Sequence, residues 1–151
     1  MKKFVFSLET LQNAKHTQEN ELRKELSAVE ARLSSEQLTL EHLRQESAIL
    51  RELWLARMVG GLNPAEIQQF NQSFGQLNDQ AKTRQAQIQK ISQEKAQCQD
   101  RLIRLLTEIK SLENLREQQL AGYKQELAQE QAKEIDDFIT GQRKQTSTRP
   151  G

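Results

Sequence analysis

The residues of this chain that could carry out chemistry are few and widely spaced. His16 and His42 lie about four heptads apart, with no cysteine or carboxylate at the spacing of a metal site. Cys98 is the single cysteine, and Gly60-Gly61 lacks the Lys-Ser/Thr pair that follows the glycines of a phosphate-binding loop. We therefore expect no catalytic residue, no cofactor and no metal, and both histidines on solvated helix faces.

The composition is that of long helices with a mixed-charge surface. Of the 151 residues, 35% are hydrophobic, 5% aromatic and 28% charged, with six Gly and two Pro. A net charge of +1 argues against a nucleic-acid-binding protein, which would carry a basic stripe. Apolar runs are too short for membrane insertion, and Ser7 and Glu9 interrupt the start too early for a secretory signal. One cysteine suits a reducing compartment.

One strong break divides the chain at Gly60-Gly61-Leu62-Asn63-Pro64. Paired glycines end a helix, Asn63 can cap the next one, and Pro64 fits its first position. We predict a single coiled-coil domain over residues 1–151, with helix one at about 5–58 and a hinge at 59–63. Helix two is predicted at about 64–140, followed by a flexible tail at 141–151.

Apolar residues alternate three and four apart on both sides of the break, which is the heptad pattern of a coiled coil. The first helix contributes Leu22, Leu26, Val29, Leu33, Leu40, Leu43, Leu50 and Trp54. The second contributes Ile67, Phe70, Phe74, Leu77, Ala81, Ile88, Ile91, Cys98, Leu102, Leu105, Ile109 and Leu112. Beyond Leu112 the stripe changes phase, and Leu120, Leu127, Ile135 and Phe138 take it over.

A short hinge between two long helices predicts an all-α fold, a long antiparallel two-helix coiled coil (helical hairpin) with a longer, protruding second helix. Folding about Leu62 places residue i opposite residue 124 minus i, to within a few positions. Glu36 then falls close to Arg84, which predicts an ion pair that fixes the register. Cys98 falls in the seam, so we expect it to pack there rather than to act as a nucleophile.

Two apolar groups do not fit a closed seam. Trp54, Phe70 and Phe74 cluster near the hinge, where two helices cannot cover three large rings completely. The chain ends carry a second group with too few partners for a core of its own, namely Phe4, Phe6, Leu8, Leu11, Ile135 and Phe138. We interpret the hinge group as mainly a cap of the coil with partial exposure, and the terminal group as a partner-binding surface.

Three segments of the chain resemble the FliJ family of flagellar type III export proteins. The first is the opening Met1-Lys2-Lys3-Phe4-Val5-Phe6-Ser7-Leu8-Glu9-Thr10-Leu11, and the second is Ile67-Gln68-Gln69-Phe70 after the hinge. The third is Glu134-Ile135-Asp136-Asp137-Phe138, followed by Arg143. Chain length, hinge position and the longer second helix also agree, so the resemblance covers the whole chain.

The resemblance implies a non-catalytic flagellar export component that resembles the central stalk of a rotary ATPase. Such proteins are cytoplasmic, act at the cytoplasmic face of the inner membrane, and bind the hexameric export ATPase and promote its ring assembly. They also contact the cytoplasmic domain of the export gate and handle empty export chaperones. A monomer without direct membrane insertion is expected.

The resemblance also assigns residues to these partners. ATPase contacts are expected at Phe4, Leu8, Leu11, Ile135, Asp137, Phe138 and Arg143. Gate contacts are expected at Leu40, Leu43, Phe70, Phe74 and Leu77. Two alternatives stay open at this point, namely a stalk protein of an injectisome and a structural coiled-coil adaptor that dimerises through its exposed stripes.

Overall fold

Two α-helices account for nearly all of the computed structural model, which describes residues 2–148, with side chains up to residue 143. Helix α1 spans Glu9–Gly60 and helix α2 spans Pro64–Thr148, joined by residues 61–63. No strand occurs within the described range. The predicted all-α helical hairpin coiled coil is confirmed.

The helix ends differ from the predicted bounds at three places. Helix α1 begins at Glu9 rather than near residue 5, because residues 2–6 are non-helical and a turn follows in which the Glu9 N–H donates to the Phe6 carbonyl at 3.1 Å. It also continues through Gly60. Helix α2 continues to Thr148, so the predicted end at 140 is eight residues too early. Gly141 weakens that turn by about 1 kcal/mol relative to Ala, which is not enough to end a helix.

The flexibility predicted for the tail stays a prediction. Residues 149–151, and Met1 at the other end, lie outside the described part of the chain.

The hinge has the capping chemistry that the sequence predicts. The Asn63 Oδ1 accepts a hydrogen bond from the Glu66 N–H at 2.8 Å, and Pro64 takes the first helical position of α2. Gly61 adopts a φ of +83°, a left-handed conformation that glycine reaches without strain. Arg57 and Glu66 form an ion pair of 2.8 Å across the turn.

The chain forms two compact units, of which the second, Asn20–Ile103, contains the hinge. Its two helices lie antiparallel, and the residues they bury are Val29, Leu40, Ile91, Cys98 and Leu102. All five occupy predicted seam positions.

Cross-helix contacts in this unit fix the register. Nη1 of Arg84 donates to both carboxylate oxygens of Glu36, at 3.1 and 3.0 Å. The Cys98 Sγ–H points to the Leu22 carbonyl at 3.7 Å. Both pairs lie within four positions of the predicted register, so the predicted Glu36–Arg84 pair is confirmed.

The first unit combines Met1–Glu19 with Arg104–Gly151. Phe6, Leu105 and Ile109 are its buried apolar residues, and Lys15 forms a 2.7 Å ion pair with Glu108. Beyond Leu127, which is half-buried, every residue from 128 to 143 is exposed. This part of α2 is therefore exposed over about four turns.

Candidate partner-binding surfaces

The N-terminal residues pack against α2 rather than forming the first turns of α1. The Phe4 ring lies 5.5 Å from the Tyr123 ring, tilted by 53°, and the Arg116 guanidinium lies 5.7 Å from the Phe4 centroid. The Tyr123 hydroxyl donates to the Lys2 carbonyl at 2.7 Å. Phe6 is 4% exposed, which places it in the core of this unit.

This packing was not predicted, although one signal for it was present. The predicted register sets Val5 opposite Gln119, so Phe4 falls within one helical turn of Tyr123, the single tyrosine of the chain. Phe4 and Phe6 were instead predicted to form one apolar group with Ile135 and Phe138.

The structure separates the two ends of that predicted terminal group. Phe4 packs at Tyr123, fifteen residues before Phe138, which is about 22 Å along a helix at 1.5 Å per residue. Phe4 and Leu8 are half-buried, whereas Leu11 is 44% exposed. Ile135, Asp137, Phe138 and Arg143 are exposed on the final segment of α2.

An apolar stripe runs along this exposed segment. Ile135 and Phe138 are 60% and 65% exposed, and Ile139, which the prediction did not include, is also exposed. Spacings of three and four residues place these side chains on one face of the helix. Glu126, Glu130, Glu134 and Asp137 are also exposed along this part of α2. A cluster of one large aromatic and two isoleucine side chains exposed to solvent is typical of a partner-binding anchor.

The residues predicted for the gate divide between core and surface. Leu43, Phe74 and Leu77 line a surface groove of about 410 Å³ together with Gly75. Leu40 is 7% exposed and belongs to the core between the helices.

Phe70 is half-buried and packs edge-on against Trp54, with 5.2 Å between the ring centroids. The aromatic cluster at the hinge is therefore partly a cap of the coil, as predicted.

A second groove on the same unit was missed. Ile49 and Leu53, each more than half exposed, line it with Leu50 and Leu77. Ile49 and Leu53 are off the heptad seam, and neither was among the predicted site residues. The available signal was the presence of large apolar residues at positions that the seam does not require.

The structure gives the one cysteine a packing position. Cys98 is 2% exposed, and burial raises the pKa of its thiol above the ordinary value of 9.0, with the nearby Glu25 carboxylate raising it further. A thiol that resists ionisation is a weak nucleophile and a weak metal ligand.

The described residues contain no group of three or more His, Cys, Asp or Glu side chains placed to hold a metal ion. None of the helices in residues 2–148 is long and apolar enough to cross a membrane.

Comparison with known proteins agrees with the helical architecture and the end motifs. The family model described as "Flagellar FliJ protein" matches residues 4–146, which is nearly the whole chain. No curated protein and no solved structure matches. The match includes the N-terminal segment, the hinge and the exposed stripe of α2. This chain belongs to the FliJ family, whose members are non-enzymatic components of flagellar protein export.

Proposed function

We propose that this protein binds the hexameric flagellar export ATPase as a central-stalk-like element, promotes its ring assembly, and couples it to the export gate and to export chaperones. The observation that carries the proposal is the exposed stripe of Ile135, Phe138 and Ile139 on a part of α2 in which every residue from 128 to 143 is exposed. Membership of the FliJ family supports the flagellar system over an injectisome.

The final segment of α2 suits insertion into a protein cavity. A single helix is about 10 Å wide, so it can enter an opening that a helix pair cannot. Burying the Phe138 and Ile135 side chains in a partner would contribute roughly 1.5–3 kcal/mol each. Asp137 and Arg143 are exposed in the same segment and can form polar contacts around the apolar anchors.

The remaining residues assigned to the ATPase divide by exposure. Leu11 is 44% exposed and is available for direct contact. Leu8 and Phe4 are half-buried within their own unit, so their contact with the ATPase stays a prediction.

The groove of Leu43, Phe74 and Leu77 is the surface we assign to the cytoplasmic domain of the export gate. Phe70 lies near it, half-buried against Trp54, and its exposed part can extend the contact. Leu40 is buried in the core and would act through the packing of its neighbours. The protein itself is proposed to be monomeric, non-catalytic and cytoplasmic, and peripheral at the inner-membrane export apparatus.

The proposal is tested by mixing the purified chain with the export ATPase of the same cell and measuring ring assembly and ATP hydrolysis. We expect co-purification and an increased hydrolysis rate at micromolar concentrations. Ile135→Ala and Phe138→Ala should each weaken binding at least tenfold, because each removes an apolar anchor.

Ile103→Ala provides the matched control, since Ile103 lies on the same helix and is 61% exposed, against 60% for Ile135. Absence of both binding and stimulation with the wild-type chain would refute the proposal. Equal loss in Ile103→Ala and Ile135→Ala would refute the assignment of the site.

A further inference from the structure

We propose that residues 2–7 form a strap that holds α2 helical beyond the start of α1, and that Phe4 acts on the ATPase through this strap rather than by touching the partner. The structural part of this inference stands alone. Its consequence for ATPase binding rests on the proposed function.

The strap occupies the place at which α2 loses its helical partner. Helix α1 begins at Glu9, and Lys15, less than two turns into it, is already paired with Glu108. Contacts from a second helix therefore end soon after Leu112. Next along α2 come Arg116 and Tyr123, which contact Phe4 and the Lys2 carbonyl.

A change of partner also explains the change of phase in the apolar stripe. Up to Leu112 the half-buried or buried positions of α2 follow the heptad, because a helix packs there. Beyond it Leu115, Leu120, Tyr123 and Leu127 are half-buried, while most of the former seam positions are exposed. A non-helical segment need not keep the phase of a helix–helix seam, so most of the covered positions leave that seam.

This part of α2 needs support. Gly122 lies inside it and stabilises a helix less than Ala does. The difference raises the equilibrium constant for local opening roughly fivefold. Most helical stability in proteins comes from the packing of an apolar face, and residues 128–143 of α2 are exposed. The strap supplies an aromatic pair with Tyr123, a hydrogen bond from Tyr123 to the Lys2 carbonyl, and a cation–π contact with Arg116. Tyr123 is adjacent to Gly122, and Arg116 lies six residues before it.

The exposed stripe at Ile135 and Phe138 follows directly on the strapped part of α2. If the helix opens near Gly122, the stripe loses its fixed direction. The free energy of binding is then reduced by the entropy lost when the stripe is ordered. Phe4 is half-buried against Tyr123, which lies about 22 Å along α2 from Phe138. Phe4 is therefore a positioning residue.

Amide hydrogen exchange of the free full-length chain tests the strap. Phe4→Ala should speed exchange of residues 116–127 about fivefold to tenfold and leave residues 88–102 unchanged. Tyr123→Phe, which keeps the ring and removes the hydrogen bond to Lys2, should speed it about twofold to fivefold. Val5→Ala is the matched control, because Val5 lies in the strap but is 74% exposed. Unchanged exchange in Phe4→Ala, or an equal effect of Val5→Ala, would overturn the strap.

Rescue by Gly122→Ala distinguishes positioning from direct contact. A Cβ at Gly122 meets no atom within 4 Å, so alanine can stabilise the helix without a clash. Phe4→Ala should weaken ATPase binding about fivefold, and Phe4→Ala with Gly122→Ala should restore it to within twofold. No weakening in Phe4→Ala, or restored exchange without restored binding, would overturn the positioning role. If the wild-type chain does not bind the ATPase, the proposed function fails, and the exchange data still decide the strap.

Discussion

Charged side chains in the seam show how single residues set the pairing of the two helices. Arg84 and Glu36 occupy positions that heptads reserve for apolar groups, yet one Nη1 reaches both carboxylate oxygens within 3.1 Å. The Arg84 side chain is 42% exposed, so solvent screens the pair, and it should contribute about 0.5–1 kcal/mol. Its main effect is to disfavour other registers, in which either charge would face apolar residues.

Charge reversal tests this pair. Arg84→Glu alone and Glu36→Arg alone should each lower the free energy of unfolding by about 1 kcal/mol, because like charges then face each other. The double exchange should recover at least half of that loss, measured by urea unfolding followed by circular dichroism. If both single variants are as stable as the wild-type chain, the pair does not set the register.

Cys98 gives a residue-scale prediction that depends on pH. Burial holds the pKa of its thiol above 9.0, and the thiolate is the form that reacts. Modification by a disulfide reagent at pH 8 should therefore be at least tenfold slower in the folded chain than in urea.

The same pKa shift has a defined effect on stability. Since the folded chain binds the thiol proton more tightly than the unfolded chain, this stabilisation is complete below pH 9.0 and is lost as pH rises towards the folded pKa. Cys98→Ala should remove that decline in unfolding free energy above pH 9. A wild-type thiol that reacts as fast folded as unfolded would contradict the burial.

At the scale of elements, the two adjacent glycines of the hinge have different roles. Gly60 ends α1, whereas Gly61 adopts a φ of +83°. An added Cβ meets no atom within 4 Å at either position, so backbone conformation alone decides the effect of a substitution.

We expect Gly61→Ala to lower the free energy of unfolding by about 1–2 kcal/mol, since a left-handed conformation strains an L-residue. Gly60→Ala is the matched control and should leave stability unchanged or raise it by up to about 1 kcal/mol. Thermal unfolding of the two variants provides the comparison. Equal effects would show that the turn does not depend on the conformation of Gly61.

The elements that follow a period were predictable, and those that do not were missed. Leu102, Leu105 and Ile109 repeat at heptad spacing, so their burial, the hairpin and its register followed from the sequence. Residues 2–7 have no period, and their packing on Tyr123 depends on a long-range contact that local patterns do not encode.

Continuation of α2 past Gly141 was missed for a related reason. A single glycine weakens a helix without ending it, and its neighbours decide the outcome. The exposure of Ile135 and Phe138 was predicted, because both residues stand out from the heptad, whereas the exposure of Ile49 and Leu53 was not predicted.

For the whole molecule, the two proposed binding surfaces should be separable by mutation. Gly75 lines the groove of Leu43, Phe74 and Leu77, and no atom lies within 4 Å of a Cβ added there. Gly75→Gln should fill the groove, keep the helix intact, and weaken binding to the gate's cytoplasmic domain at least tenfold in isothermal titration calorimetry.

The same variant should bind the ATPase as the wild-type chain does. Loss of both interactions together would contradict the assignment of two surfaces.

Oligomeric state distinguishes a stalk from a structural coiled coil. The stripe of Ile135, Phe138 and Ile139 could also pair with a second copy of the chain. We expect a constant mass near 17.5 kDa in light scattering from 1 to about 100 μM, since this stripe is short for a stable dimer interface. A mass that doubles with concentration, and is restored by Phe138→Ala, would favour dimerisation.

Hydrogen exchange of the chain in complex with the hexameric export ATPase tests the central claim most directly. We predict that saturating ATPase slows exchange of residues 130–143 at least tenfold, because the exposed end of α2 becomes enclosed. Residues 88–102, whose amides belong to the paired helices, should exchange as in the free chain. Unchanged exchange in residues 130–143 despite stable complex formation would contradict the account.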